Sequence, residues 1–140
     1  MDEGNVSEEE RTRRRAELVG RLYNDGWAGG NLDAGLELLD PGIVWTAIEG
    51  APDAGTYRGH EGVRAYWQDW LDDFDIDGVL VEEAIQAGDR LMCVQRAVAT
   101  GKGSGVQTEL EYACLYTFGD DERIVEVNEY AAREEALAAA

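Results

Sequence analysis

The chain has 140 residues, 44% hydrophobic and 30% charged, a mixture that suits one globular domain with its own core rather than a disordered chain. Thirty acidic residues against twelve basic ones give a formal charge of −18, which excludes a nucleic-acid phosphate partner and disfavours anionic membranes. No apolar run nears the ~18 residues that span a bilayer, and MDEGNVSEEE lacks a basic-then-apolar leader, so a soluble, cytoplasmic protein is expected. Cys93, Cys114 and the single histidine, His60, make no zinc spacing, and neither metal nor cofactor is expected.

Residues 1–7 read as a frayed tail. Ser7 followed by Glu10 forms a capping box, and Leu18, Leu22, Val19 and Tyr23 fall at helical spacing toward Trp27. The Arg-rich stretch 11–15 takes the solvated face. Gly29-Gly30-Asn31 stops this helix, and a short second helix over LDAGLELLD ends at Pro41-Gly42. Residues 43–48 are β-rich and form the first strand, followed by a loop with Gly50, Pro52 and Gly55. GHEGVRAYWQDWLDDF is a third helix, with Val63, Tyr66, Trp67, Trp70 and Phe74 on one face and His60 exposed at its start.

Four strands follow, over about 77–87, 90–101, 106–118 and 123–131. Turns at Gly88-Asp89, at 101–105 and at 119–121 join them. The closing REEALAAA could wind a last turn or two. One domain, 8–135, thus lies between tails 1–7 and 136–140. Its order, α-α-β-α-β-β-β-β, predicts an α+β fold with an antiparallel sheet and three helices on one face.

This order and its punctuation resemble the SnoaL-like branch of the NTF2-like superfamily, the ketosteroid-isomerase-like cone. The matching residues are Leu22-Tyr23 through Gly30-Asn31-Leu32-Asp33, Leu39-Asp40-Pro41, Val44-Trp45, Tyr57-Arg58-Gly59 and Glu61-Gly62-Val63-Arg64. Ala87-Gly88-Asp89-Arg90, Arg123-Ile124-Val125 and Glu129-Tyr130 complete the set. The resemblance implies a curved sheet and helices enclosing a conical cavity for a small, largely apolar molecule, with no cofactor. It also implies a homodimer through the convex sheet face, here carrying Leu91, Ala97, Ala113 and Leu115.

Strand alternation separates Met92, Val94, Arg96 and Val98 from Leu91, Cys93, Gln95, Ala97 and Ala99. The family geometry turns the Arg96, Cys114 and Glu129 faces inward and sends Cys93 to the opposite side. Arg96 and Glu129 are then the charged pair of the cavity: either a self-neutralising ion pair, or a proton carrier (Glu129) with its electrostatic partner (Arg96). Tyr23, Trp45, Tyr57, Trp67, Val98, Tyr112, Cys114 and Tyr116 are the candidate ligand-binding residues. For each, plain core packing is the competing reading.

The family's chemistries fit unevenly. Tyr23 matches the oxyanion-holding tyrosine of ketosteroid isomerases, but the base position falls on Thr46 and Ala47 and the protonated-aspartate position on Cys114. Of the epoxide-hydrolase set, Arg96 and Glu129 match, while Val98, Trp45 and Ala47 replace an aspartate, a tyrosine and an asparagine. The polyketide-cyclase reading needs mainly shape and one acid, which Glu129 supplies. The expectation is therefore a cavity protein binding a small apolar molecule, with cofactor-free acid/base catalysis open. The alternative is a non-catalytic binder or dimeric interaction module.

Overall fold

The computed structural model describes residues 7–48 and 55–140; the tail through residue 6 and the Gly50 to Pro52 part of the loop lie outside the described residues. Helix α1 spans Glu8–Arg21, and the Ser7 hydroxyl accepts the Glu10 backbone N–H at 3.1 Å. Glu8, Glu9 and Glu10 occupy its first turn, where they complement the positive end of the helix. The Arg-rich face is not wholly solvated. Arg15 lies over the Phe118 ring, 4.4 Å from its centroid, and reaches Glu122 at 2.7 Å.

Past Arg21 the coil widens into a π-helical segment, Leu22–Ala28. Such wide turns are rare and cluster at functional sites. This one does two things. It keeps Tyr23 and Trp27 both buried, and it sets the Asn24 amide against strand β3, Phe74–Ala87. Asn24 accepts the Val79 N–H and donates to the Val79 carbonyl, each at 2.9 Å, so one side chain satisfies two backbone groups on an edge strand. Gly30, at φ +76°, ends the segment, and the Asn31 side chain caps the short helix α2, Leu32–Leu36. Gly26 packs directly on Gly35 of α2, whose other side meets the Trp67 ring.

Strand β1, Leu39–Thr46, begins earlier than expected because Pro41-Gly42 forms a bulge inside it rather than a break before it. Proline is tolerated at a bulge, where the ladder does not require its missing N–H. The Asp40 carboxylate accepts the Gly42 N–H at 2.8 Å. A three-residue strand β2, Thr56–Arg58, was not anticipated. Helix α3, Gly59–Asp73, leads straight into β3; β4 is Arg90–Gly101, β5 Gln107–Phe118 and β6 Ile124–Tyr130. His60 is half-buried, not exposed, and its ring N–H donates to the Leu39 carbonyl at 2.9 Å, tying the start of α3 to β1.

The six strands form one sheet in the order β2-β1-β6-β5-β4-β3. It is antiparallel except that β1 runs parallel to β6. The sheet is curved and unclosed. The helices preceding β3 cover its concave face, around a core that includes Val19, Leu22, Trp45, Val63, Cys93 and Val127. The closing residues form helix α4, Arg133–Ala139, on the other side of the sheet, where Ala136 packs with Met92, Ala113 and Leu115. This redraws the expected convex interface. Leu91 and Ala97 lie in the concave core, and Ala113 and Leu115 lie beneath α4. Among the described residues, no helix is long and apolar enough to cross a membrane.

Gly26→Ala tests the tight crossing of the π-helical segment and α2. A Cβ there would stand 2.7 Å from the Gly35 Cα, backbone against backbone. The variant should lose about 1–3 kcal/mol of unfolding free energy in urea denaturation. An unchanged midpoint would mean that α2 can back away freely.

Candidate functional site

Directly paired residues of neighbouring strands point to the same face, so the β4–β5 register decides what enters the cavity. Cys93 pairs with Cys114, Gln95 with Tyr112, and Arg96 with Glu111. The inner face of β4 is therefore Leu91, Cys93, Gln95, Ala97 and Ala99. Tyr112, Cys114 and Tyr116 face inward from β5, and Val127 and Glu129 from β6. Arg96 and Val98, expected inside, are on the convex face. Arg96 there meets three carboxylates, Glu82 at 3.0 Å, Glu111 at 3.3 Å and Glu109 at 3.4 Å. Those carboxylates, Glu82 foremost, hold its guanidinium above its ordinary pKa. Arg96 and Glu129 form no pair. Cys93, expected opposite Cys114, is its direct cross-strand neighbour, and both thiols are free.

A cavity of about 300 Å³ lies between the concave face and the helices. Tyr23, Trp45, Trp67, Tyr112 and Glu129, all singled out from sequence, line it. So do Trp27, Tyr66, Trp70 and Ile48, which were read as core or not weighed, and Ala97, which was expected on the convex face. All four tryptophans of the chain reach this space. Exposed Leu110 and Glu111 mark its mouth, although the Glu111 carboxylate turns away to Arg96. Cys114 and Tyr116 lie behind the wall. Tyr57 stacks on the far side of Tyr66 with centroids 4.5 Å apart.

Two polar systems are built into this apolar wall. The first is Glu129. Its carboxylate accepts the Trp45 indole N–H at 2.8 Å and the Tyr66 hydroxyl at 2.9 Å. Trp45 comes from β1, Tyr66 from α3 and Glu129 from β6, so the acid joins three elements. Each donor favours the charged carboxylate.

The second is a chain of neutral groups. Gln95 is fully buried. Its amide N–H donates to the Tyr112 hydroxyl at 3.0 Å, and its carbonyl accepts from Tyr116, whose oxygen lies 2.8 Å from that of Tyr23. A phenol has one proton. Tyr116 gives its proton to Gln95, so Tyr23 must donate to Tyr116. The directions are fixed as Tyr23 to Tyr116 to Gln95 to Tyr112. The Tyr23 proton thus points away from any guest, contrary to the role of an oxyanion-holding tyrosine.

Burial pushes the phenols of Tyr23, Tyr112 and Tyr116 well above their ordinary pKa, with Cys114 adding to each. Burial likewise raises the Cys93 thiol to about 12, and raises Cys114 with further help from the Glu129 charge. These groups stay protonated at neutral pH, and Cys114 is not a nucleophile. Among the described residues, no group of three His, Cys, Asp or Glu side chains is placed to hold a metal ion.

Gln95→Leu should be severe for a change of similar size. It strips Tyr116 of its acceptor and Tyr112 of a donor, and each orphaned buried polar group costs about 1–3 kcal/mol. Denaturation of the variant should show at least the lower figure. A variant as stable as the parent would mean that the tyrosines find other partners.

Comparison with known proteins agrees with this architecture. The family model of the SnoaL-like domain matches residues 19–127. No curated protein matches the chain. Among solved structures, a protein of ketosteroid isomerase-like fold from Catenulispora acidiphila, in complex with trimethylamine, is 20% identical with a TM-score of 0.69, over 87% of this chain and 90% of that one. A candidate SnoaL-like polyketide cyclase from Jannaschia sp. is 20% identical with a TM-score of 0.71, over 99% of each chain. A candidate isomerase from Bacillus subtilis is 16% identical with a TM-score of 0.71, over 96% of this chain and 98% of that one. At these identities the likeness to solved structures shows the fold alone. The family match covers most of the chain, and the protein belongs to the SnoaL-like domain family of NTF2-like fold.

Proposed function

We propose that the protein binds a small, largely apolar organic molecule in the cavity, with Glu129 as the group that engages the polar part of the guest. One observation carries this reading. A carboxylate held in place by Trp45 and Tyr66 stands in the wall of a hollow whose other described residues are aromatic and aliphatic, save Glu111 at the mouth, which turns to Arg96. Hollows of this size and composition, with one or two placed polar groups, are what small-molecule sites look like. The Catenulispora protein of the same fold was solved with a small organic molecule, trimethylamine, in keeping with a guest-binding role.

Catalysis, where it occurs, would run through the same carboxylate. The phenols at or behind the wall are held protonated, and Arg96 is outside, so Glu129 is the group suited to take and return a proton at neutral pH. A cofactor-free isomerisation or aldol closure needs no more than that, provided that the cavity orients the substrate.

Glu129→Gln keeps an acceptor for Trp45 and Tyr66 while removing the charge. It should fold, and it should abolish any turnover; retained activity would remove Glu129 as the proton carrier. Tryptophan emission reports occupancy directly, because every tryptophan lines the cavity. Arg96→Ala should leave guest binding, read by that emission, unchanged. A loss of affinity comparable to that of Glu129→Gln would contradict the placement of Arg96 on the convex face.

A further inference from the structure

We infer that the guest is a cation: a small organic ammonium with apolar substituents, tertiary or quaternary. This deepens the reading above and rests on it. The sign of the cavity follows from which side chains reach it. Tyr23, Trp27, Trp45, Tyr66, Trp67, Trp70 and Tyr112 supply seven aromatic rings, and Glu129 supplies a carboxylate. None of the twelve Lys and Arg residues lines the space, nor does His60. The segments outside the described residues, 1–6 and 49–54, contain no Lys, Arg or His in sequence. An anionic guest would meet the Glu129 charge with no basic side chain in the wall to offset it.

The ring arrangement points the same way. Tyr23 stands at 68° to Trp27 and at 80° to Trp45, and Trp45 stands at 85° to Trp67. Trp27 and Trp70 meet at 89°. Trp45 and Tyr66 are tilted at 54°, so the rings lie in several planes and make an aromatic box around the space. Ring faces carry the negative part of the aromatic quadrupole, and boxes of this kind recognise ammonium groups. Glu129 adds a full charge at one wall, and a tertiary ammonium N–H has there an oxygen to which it can donate. At longer range, a net charge of −18 draws organic cations toward the molecule and repels anions. A neutral apolar guest would use the rings only as surface and would gain nothing from the Glu129 charge.

The test holds shape constant and changes charge. Tryptophan emission is titrated with benzyltrimethylammonium and with neopentylbenzene, its neutral isostere, on the parent protein and on Glu129→Gln. The ammonium should bind the parent about tenfold or more tighter than the isostere. Glu129→Gln should erase most of that preference, by weakening the ammonium and leaving the hydrocarbon as before or tighter. Equal affinity of the two probes for the parent, or a preference for the hydrocarbon, overturns the cation inference and leaves the apolar cavity reading standing. No response to either probe overturns both.

Discussion

The register of the β4–β5 hairpin is the constraint on which the remaining structure depends. Shifting the alternation of β4 by one residue would carry Arg96 into the core and Gln95 out of it. Both positions resist the slip. Gln95 is held inside by Tyr112 and Tyr116, and its amide is satisfied at both ends. Arg96 is held outside among Glu82, Glu109 and Glu111, on a face where water still reaches the charges. A buried guanidinium would forfeit those partners and its hydration together. The three surface pairs stabilise the fold only modestly, since they are exposed. Their larger effect is on phase, because they make the alternative register much worse.

From that phase comes the character of the cavity. With the cation outside, the concave face offers neutral phenols, one amide and one acid. Every buried polar side-chain atom among the described residues has a partner. The order of the Tyr23–Tyr116–Gln95–Tyr112 chain therefore serves the fold first. It stitches the π-helical segment to the middle of the sheet through groups that stay uncharged at neutral pH. The Glu129 cluster does the same for β1, α3 and β6. The walls of the site and the core of the domain are largely one set of residues, and Trp45 and Trp67, both almost fully buried, belong to each.

Apart from β2, the element order, together with the Ser7 cap and the inward faces of β5 and β6, was legible in the sequence. Turn residues and apolar periodicity suffice for the elements and the cap, and the family resemblance gave the inward side of β5 and β6; on β5 the alternation is sharp, Glu109 and Glu111 against Tyr112, Cys114 and Tyr116. The phase of β4 was harder because its two faces are almost equally apolar, with Met92, Val94 and Val98 against Leu91, Cys93, Ala97 and Ala99. The signal that decides it was nevertheless present. A hairpin closed over 101–106 sets Thr100 opposite Gln107, hence Arg96 opposite Glu111. Opposite charges facing each other on an outer face are a stronger guide than family geometry. The aromatic box was missed for another reason. Trp27, Tyr66 and Trp70 have the same helical spacing whether they fill a core or wall a cavity; only the curvature of the sheet, a tertiary property, separates the two. The Pro41-Gly42 bulge and the π-helical turn were likewise invisible, because a proline-glycine pair and a helix-ending glycine cluster announce a break without saying what kind.

The same carboxylate cannot be tuned at once for holding an ammonium and for abstracting a proton. A cation seated beside Glu129 lowers the proton affinity of the carboxylate, and so weakens it as a base in the complex. Base catalysis gains when the guest is neutral and the acid is poised near the working pH; cation binding gains when the acid is fully charged before the guest arrives. The donors supplied by Trp45 and Tyr66 push toward the second condition, since both stabilise the anion. Among the described residues of the wall, burial makes the phenols of Tyr23 and Tyr112 weak acids, and the Tyr23 proton is committed to Tyr116. The wall is thus better arranged to hold a carboxylate charge in place than to shuttle a proton, and a fixed charge is what the proposed recognition of an ammonium guest requires.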